Sequence, residues 1–123
     1  MEYTRVRKTN LARNTSEIIR NVLRGQPVII ESHGKPEVVI VEVIYYLILR
    51  AVVNFHAGNR LALDPNGPSN AEFSSLTEQD RYNRAMDYYM AEGCSTGRIA
   101  ELLQISVADM HERFNELGVP LFL

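Results

Sequence analysis

Two β-branched runs, Val28 to Ile30 and Val38 to Val41, flank the polar stretch Glu31-Ser32-His33-Gly34-Lys35-Pro36-Glu37, and this pattern predicts a β-hairpin. His33-Gly34 is expected as its two-residue loop, because glycine supplies the positive φ such loops need and histidine tolerates it better than most residues. Pro27 and Pro36 each open a run, where a missing N–H does least harm. Both runs are apolar on both parities, so the sheet must be covered on both faces. One helix cannot do that, and a second layer or a second protomer is implied. Upstream, Thr4 and Val6 alternate with Arg5 and Arg7 as in a short half-exposed strand. Thr9 or Asn10 then suits the N-cap of a helix reaching about Arg24, with Gly25 at its end. Leu11, Ile18 and Val22, with Ile19 beside them, form its apolar stripe.

Beyond the hairpin, Val43 to His56 is apolar on nearly every side. Its length and Leu/Ala content favour a helix, with a strand continuing to Tyr46 before a shorter helix as the alternative. A helix that is apolar all round must be buried all round, which a unit of this size cannot achieve alone. Dimerisation is therefore expected there, through Val39, Val41, Ile44, Tyr45, Ile48 and Val52. The turn formers from Asp64 to Asn70 mark a linker, so the chain divides into residues 1–57, a linker over 58–76, and a helical module over 77–123. In that module Thr77 opens a helix with the stripe Tyr82, Ala85, Met86, Tyr89 and Met90, ended by Gly93. A second helix from Thr96 to Gln104 buries Ile99, Leu102 and Leu103. Ser106 caps a third, with the stripe Val107, Met110, Phe114 and Leu117 and a stop at Gly118 and Pro120. The fold class is α+β: a β-α-β-β-α head, a linker and a three-helix, helix-turn-helix-like tail.

Charge is segregated along the chain. Residues 1–35 hold seven Lys/Arg against three Asp/Glu, whereas residues 71–123 hold four against nine. A basic head suits an anionic partner. The single cysteine, Cys94, excludes an internal disulfide and fits a reducing cytoplasm. The opening residues lack the apolar core of a signal peptide, and the apolar window from Val38 to Val53 is broken by Glu42 and Arg50, so no membrane span is expected. His33, His56 and His111 are scattered without metal-ligand spacing, and no glycine-rich phosphate loop follows a strand. No metal, cofactor or catalytic residue is expected, and the chain does not read as an enzyme.

From Val6 to Val41 the chain resembles the Phd/YefM family of antitoxins. The resemblance rests on Thr9, Asn14, Ser16-Glu17, the step Gly25-Gln26-Pro27 and the turn His33-Gly34-Lys35-Pro36, all in one register without gaps. It implies a dimeric DNA-binding module that represses its own operon. The tail resembles a family of small prokaryotic proteins regarded as antitoxins of PIN-domain ribonucleases, through Tyr89-Met-Ala-Glu-Gly93, Gly97-Arg-Ile-Ala-Glu-Leu-Leu103, Ile105-Ser106, Phe114 and Leu117-Gly118-Val119-Pro120. It implies a protein toxin as partner.

The chemistry of the head points the same way. Arg5, Arg7, Lys8, Thr9, Asn10, Arg13 and Asn14 put cations and amides at one end of a compact unit. Arg and Lys neutralise phosphates, and Arg and Asn pair with guanine and adenine edges in the major groove. In a two-fold dimer that surface appears twice and predicts a palindromic operator. The tail's would-be reading helix carries Asp109, Glu112 and Glu116 and is a poor match for phosphates. Its aromatic and methionine stripe, Tyr82, Met86, Tyr89 and Met90, has two readings, a hydrophobic core or a toxin-binding groove. Acids such as Asp80, Asp87, Glu92 and Glu101 would mask a basic toxin surface. A ribbon-helix-helix reading fails, since that fold needs a second helix where this chain has the hairpin. The expected function is thus that of an antitoxin, with a stand-alone DNA-binding regulator as the alternative.

Overall fold

The computed structural model describes residues 3–59 and 62–122. Its class is α+β, with one three-stranded sheet and six α-helices among the described residues. The chain divides into two compact units, Met1–Tyr46 and Leu47–Leu123.

In the first unit, β1 (Thr4–Arg7) runs parallel to β2 (Val28–Ser32), and β2 pairs antiparallel with β3 (Lys35–Ile40), in the order β1-β2-β3. The hairpin closes at His33 (φ 53°) and Gly34 (φ 75°), both in the left-handed region that a two-residue turn matching the strand twist requires. A register shift at Ile30 and Glu31 accommodates Pro36, which sits on the edge strand where its missing N–H is tolerated. Val28, Ile30, Ile18 and Val22 form the buried centre, with Val6, Leu11 and Ile40 packed against it.

The helix between β1 and β2 starts later than its sequence suggests. Lys8–Asn10 is a 3-10 turn, and α1 covers Thr15–Leu23. The Thr15 hydroxyl donates to the Leu11 carbonyl at 2.7 Å, and the Asn14 N–H reaches the Asn10 carbonyl at 3.2 Å. These bonds close a separate turn ahead of the helix, so neither Thr9 nor Asn10 caps it. Ile19, placed beside the buried stripe by sequence, is 45% exposed.

Helix α2 spans Val43–His56, which settles the helix against the strand alternative. Glu42 starts it: its carboxylate accepts from the N–H groups of Ile44 at 3.1 Å and Tyr45 at 2.9 Å, satisfying two donors that a helix start leaves over. The expected linker is not wholly irregular. Asp64 folds a turn by accepting from Asn66 N–H at 2.8 Å, and Ser69 caps a short helix, α3 (Asn70–Ser74), whose Phe73 is buried.

Helices α4 (Glu78–Glu92), α5 (Thr96–Leu103) and α6 (Val107–Leu117) follow in quick succession. Thr77, Ser95 and Ser106 each accept a main-chain N–H three residues on, and Gly93 and Gly118 end α4 and α6 in the left-handed conformation. The buried residues here include Tyr82, Met86, Tyr88, Tyr89, Ile99, Leu103, Met110 and Phe114. Val107, expected in the stripe of α6, is 40% exposed because it occupies the first helical position outside the packed face. Among the described residues no helix is long and apolar enough to cross a membrane.

Candidate nucleic-acid interface

The parallel register sets Arg7 opposite Glu31, so the end of β1 and the hairpin turn lie side by side. Between them opens a cleft of about 460 Å³. Arg7, Lys8 and Thr9 form one wall, and Glu31, Ser32, His33 and Gly34 form the other. Three of the residues singled out by sequence thus converge on one concavity. Ser32 and His33 were missed because a turn sequence carries no sign of what it will face; only the strand pairing supplies that.

Two cations at this end are already engaged. Arg5 pairs with Glu31 at 2.9 Å, and Lys8 reaches Glu37 at 3.7 Å. Both pairs are partly or largely open to solvent, where such pairs hold weakly and yield readily to a stronger anion. Among the described residues Arg7 and Arg13 make no ion pair. Arg13 and Asn14 lie exposed in the turn before α1 rather than in its first turn, and Asn10 is half-buried. These exposed cations therefore lie on β1, its 3-10 turn and the turn before α1, rather than at a helix start.

The residues expected to dimerise separate into three groups by exposure. Val39 is 56% exposed, and its neighbour Val38 58%. Val41, Ile44, Tyr45 and Val52 are half-buried. Ile48 is fully buried inside the second unit and is thereby removed from any interface. Val43, Tyr46 and Val53 of α2 add exposed apolar surface that the all-apolar sequence could not distinguish from core.

The expected toxin-binding stripe is corrected by burial. Tyr82, Met86 and Tyr89 are closed inside the unit's own core, at 3%, 1% and 0% exposure, and only Met90 is half-buried. In this conformation the enclosed side chains present no surface to a partner. Asp87, offered as a surface acid, is buried too. The remaining acids stay outside: Asp80 accepts from the Thr77 hydroxyl at 2.8 Å and Glu101 pairs with Arg98 at 3.1 Å. Helix α6 exposes Asp109, Glu112 and Glu116, while Arg113 turns back to the Asp109 carbonyl at 2.9 Å. That face repels phosphates.

Elsewhere the titratable groups serve structure. The Tyr88 hydroxyl donates to Glu72 and accepts from Asp64 N–H at 3.1 Å, while Arg84 holds the same carboxylate at 2.9 Å. Burial pushes the Tyr88 phenol up, the Asp64 N–H opposes it, and the Glu72 carboxylate adds to it. Burial likewise raises the Cys94 thiol, and Glu92 raises it further, which leaves it protonated and unreactive at neutral pH. Among the described residues no three His, Cys, Asp or Glu side chains gather as metal ligands.

Comparison with known protein families, with curated proteins and with solved structures finds no match.

Proposed function

We propose that this chain is a DNA-binding antitoxin: a dimer of the first unit binds operator DNA in the cytoplasm and represses its own operon, and the second unit engages a protein toxin. The observation that carries the DNA half is the cleft walled by Arg7, Lys8 and Thr9, with Arg7 free of any ion pair among the described residues. Cations gathered on one concave surface suit a phosphate backbone, whose counterions they release. The dimer is supported by β3, which presents Val38 and Val39 to solvent on opposite faces. The toxin half rests on the resemblance of the tail to antitoxins of PIN-domain ribonucleases and on the acidic outer face of α6.

A stand-alone DNA-binding regulator is the second reading. It is favoured by one observation, the enclosure of Tyr82, Met86 and Tyr89 in a core that needs no partner.

Two measurements separate these readings. The Arg5→Ala/Arg7→Ala/Arg13→Ala variant is expected to lose specific binding to the DNA upstream of the gene, with a smaller salt slope than the parent chain; unchanged binding would place the DNA surface elsewhere. Growth arrest by the neighbouring reading frame, relieved by this protein, establishes the antitoxin role. Absence of arrest, with DNA binding intact, leaves the regulator.

A further inference from the structure

Gly118, at φ 72°, turns the chain out of α6, and the next N–H, that of Val119, bonds to the Phe114 carbonyl at 2.9 Å. The segment then lies against α4 and α5. The Tyr89 hydroxyl donates to the Pro120 carbonyl and accepts from Phe122 N–H at 2.8 Å. The Phe122 carbonyl accepts from Thr96 N–H at 2.7 Å. The Phe122 ring stacks on Tyr89 with centroids 4.6 Å apart, and Tyr89 in turn meets Phe114 at 5.0 Å.

Val119 is anchored in the core at 7% exposure. Beyond it, what is recognised is main chain plus one aromatic ring, which other extended chains also offer. The groups doing the recognising are committed. Thr96 is the first residue of α5, so its N–H has no acceptor within the helix. Tyr89 and Thr96 are 0% and 2% exposed, and leaving their polar groups without partners is unfavourable. The groove therefore needs an occupant, but it does not specify this one closely: Leu121 is 42% exposed and Phe122 only half-buried.

We infer that Pro120–Phe122 is a displaceable strap hinged at the buried Val119, and that the groove beneath it, formed by Tyr89, Thr96 and Phe114, docks an extended segment of a protein partner bearing an aromatic side chain. The strap is itself the template of what fits. This rests on the reading of the second unit as partner-binding and gives that reading a location, because Tyr89 becomes reachable only when the strap is out. The recognition is of the kind in which main-chain hydrogen bonds hold a peptide and a side-chain pocket selects it.

The test is a fluorescent peptide, Gly-Val-Pro-Leu-Phe-Leu, titrated into the full chain. A tethered strap competes at an effective concentration on the millimolar scale, so Phe122→Ala is expected to bind the peptide at least about tenfold more tightly than the parent. Adding Thr96→Pro, which a first helical position accommodates, removes the N–H and is expected to abolish that gain. Thr96→Val keeps the N–H and is expected to preserve it. No saturable binding to a folded Phe122→Ala chain, or equal binding to parent and variant, overturns the inference. If Phe122→Ala does not fold, amide exchange on the parent decides: Thr96 N–H exchanging well before Ile99 and Ala100 supports a strap that opens, and exchange only together with them overturns it. A concentration-dependent dimer that Phe122→Ala abolishes would assign the groove to a second copy and overturn the partner. None of these readouts involves growth rescue, so the groove and the toxin reading fail separately.

Discussion

The two units meet the same physical demand differently. The second encloses its large apolar side chains almost completely, with Tyr88, Tyr89, Ile99, Met110 and Phe114 all at 0% exposure, and caps α4, α5 and α6 with hydroxyl side chains. Among its described residues the first has a buried centre of only Ile18, Val22, Val28 and Ile30, and it leaves the whole of β3 outside that core, apart from a half-buried Ile40. Apolar surface of that extent on a strand is seldom left to water. A unit whose core closes on itself can carry a binding function on its exterior or under a movable cover. A unit whose core stays open offers apolar surface for association, and the dimer proposed above would couple its function to concentration.

The comparison breaks most sharply if the second unit is not self-sufficient. Phe114→Ala, which empties the centre of that core, is expected to cost about 3–5 kcal/mol, read as a lowered urea midpoint that does not change with protein concentration. A midpoint that rises with concentration would mean that this core too is shared between copies. For the first unit the expectation is reversed. Val39→Glu places a charge on the exposed strand and is expected to shift the chain to monomer in sedimentation, at a cost of several kcal/mol of association energy. An unaltered mass would remove β3 from the interface.

These contrasts were only partly written in the residues. The hairpin was legible because His33-Gly34 and two β-branched runs act locally, and the caps Thr77 and Ser106 are signals that need no tertiary context. The start of α1 was not, because the Thr15 hydroxyl bonds backward to Leu11 and closes a turn that periodicity does not register. Five-residue α3 lies below the length at which a periodic pattern appears, and Phe73 finds its place only through packing near Tyr88, ring centroids 6.3 Å apart. The stripe of Tyr82, Met86 and Tyr89 was correctly seen as one face of a helix, but a face does not say what covers it. The cleft beside Arg7 was half legible: β1 announces its charge, and the parallel pairing that brings up Ser32 and His33 is a long-range fact.

Alkali sharpens the contrast at intermediate size. The folded-state values of Tyr88 and Tyr89 are raised chiefly by burial, with donation from Asp64 and Phe122 N–H groups opposing. A group raised on folding holds its proton more tightly in the native state, so its contribution is complete below the unfolded value near 10 and is lost as pH climbs through the folded value. The second unit is expected to lose stability above about pH 10, and Tyr89→Phe to reduce that loss, measured by chemical denaturation across the alkaline range. An equal loss in parent and variant would clear Tyr89.

The smallest effect concerns the caps. Ser106→Ala removes the acceptor of Asp109 N–H, a 3.0 Å bond, and is expected to cost about 1 kcal/mol in the urea midpoint of the second unit, with DNA affinity unchanged. A change in DNA affinity would show that α6 takes part in binding DNA after all.

Pro36, near the start of β3, has a consequence for how copies of this chain can add to one another. β3 is an edge strand in the order β1-β2-β3, and a strand edge recruits whatever backbone is nearby unless something blunts it. Lys35-Pro36-Glu37 places two charges around a residue with no N–H, so incoming chains meet a broken row of donors at one end and an apolar stretch, Val38 to Ile40, at the other. Growth along that edge into fibres is interrupted at its first residues, and Pro36→Thr, which restores the missing donor, is the substitution expected to turn a soluble preparation turbid on concentration.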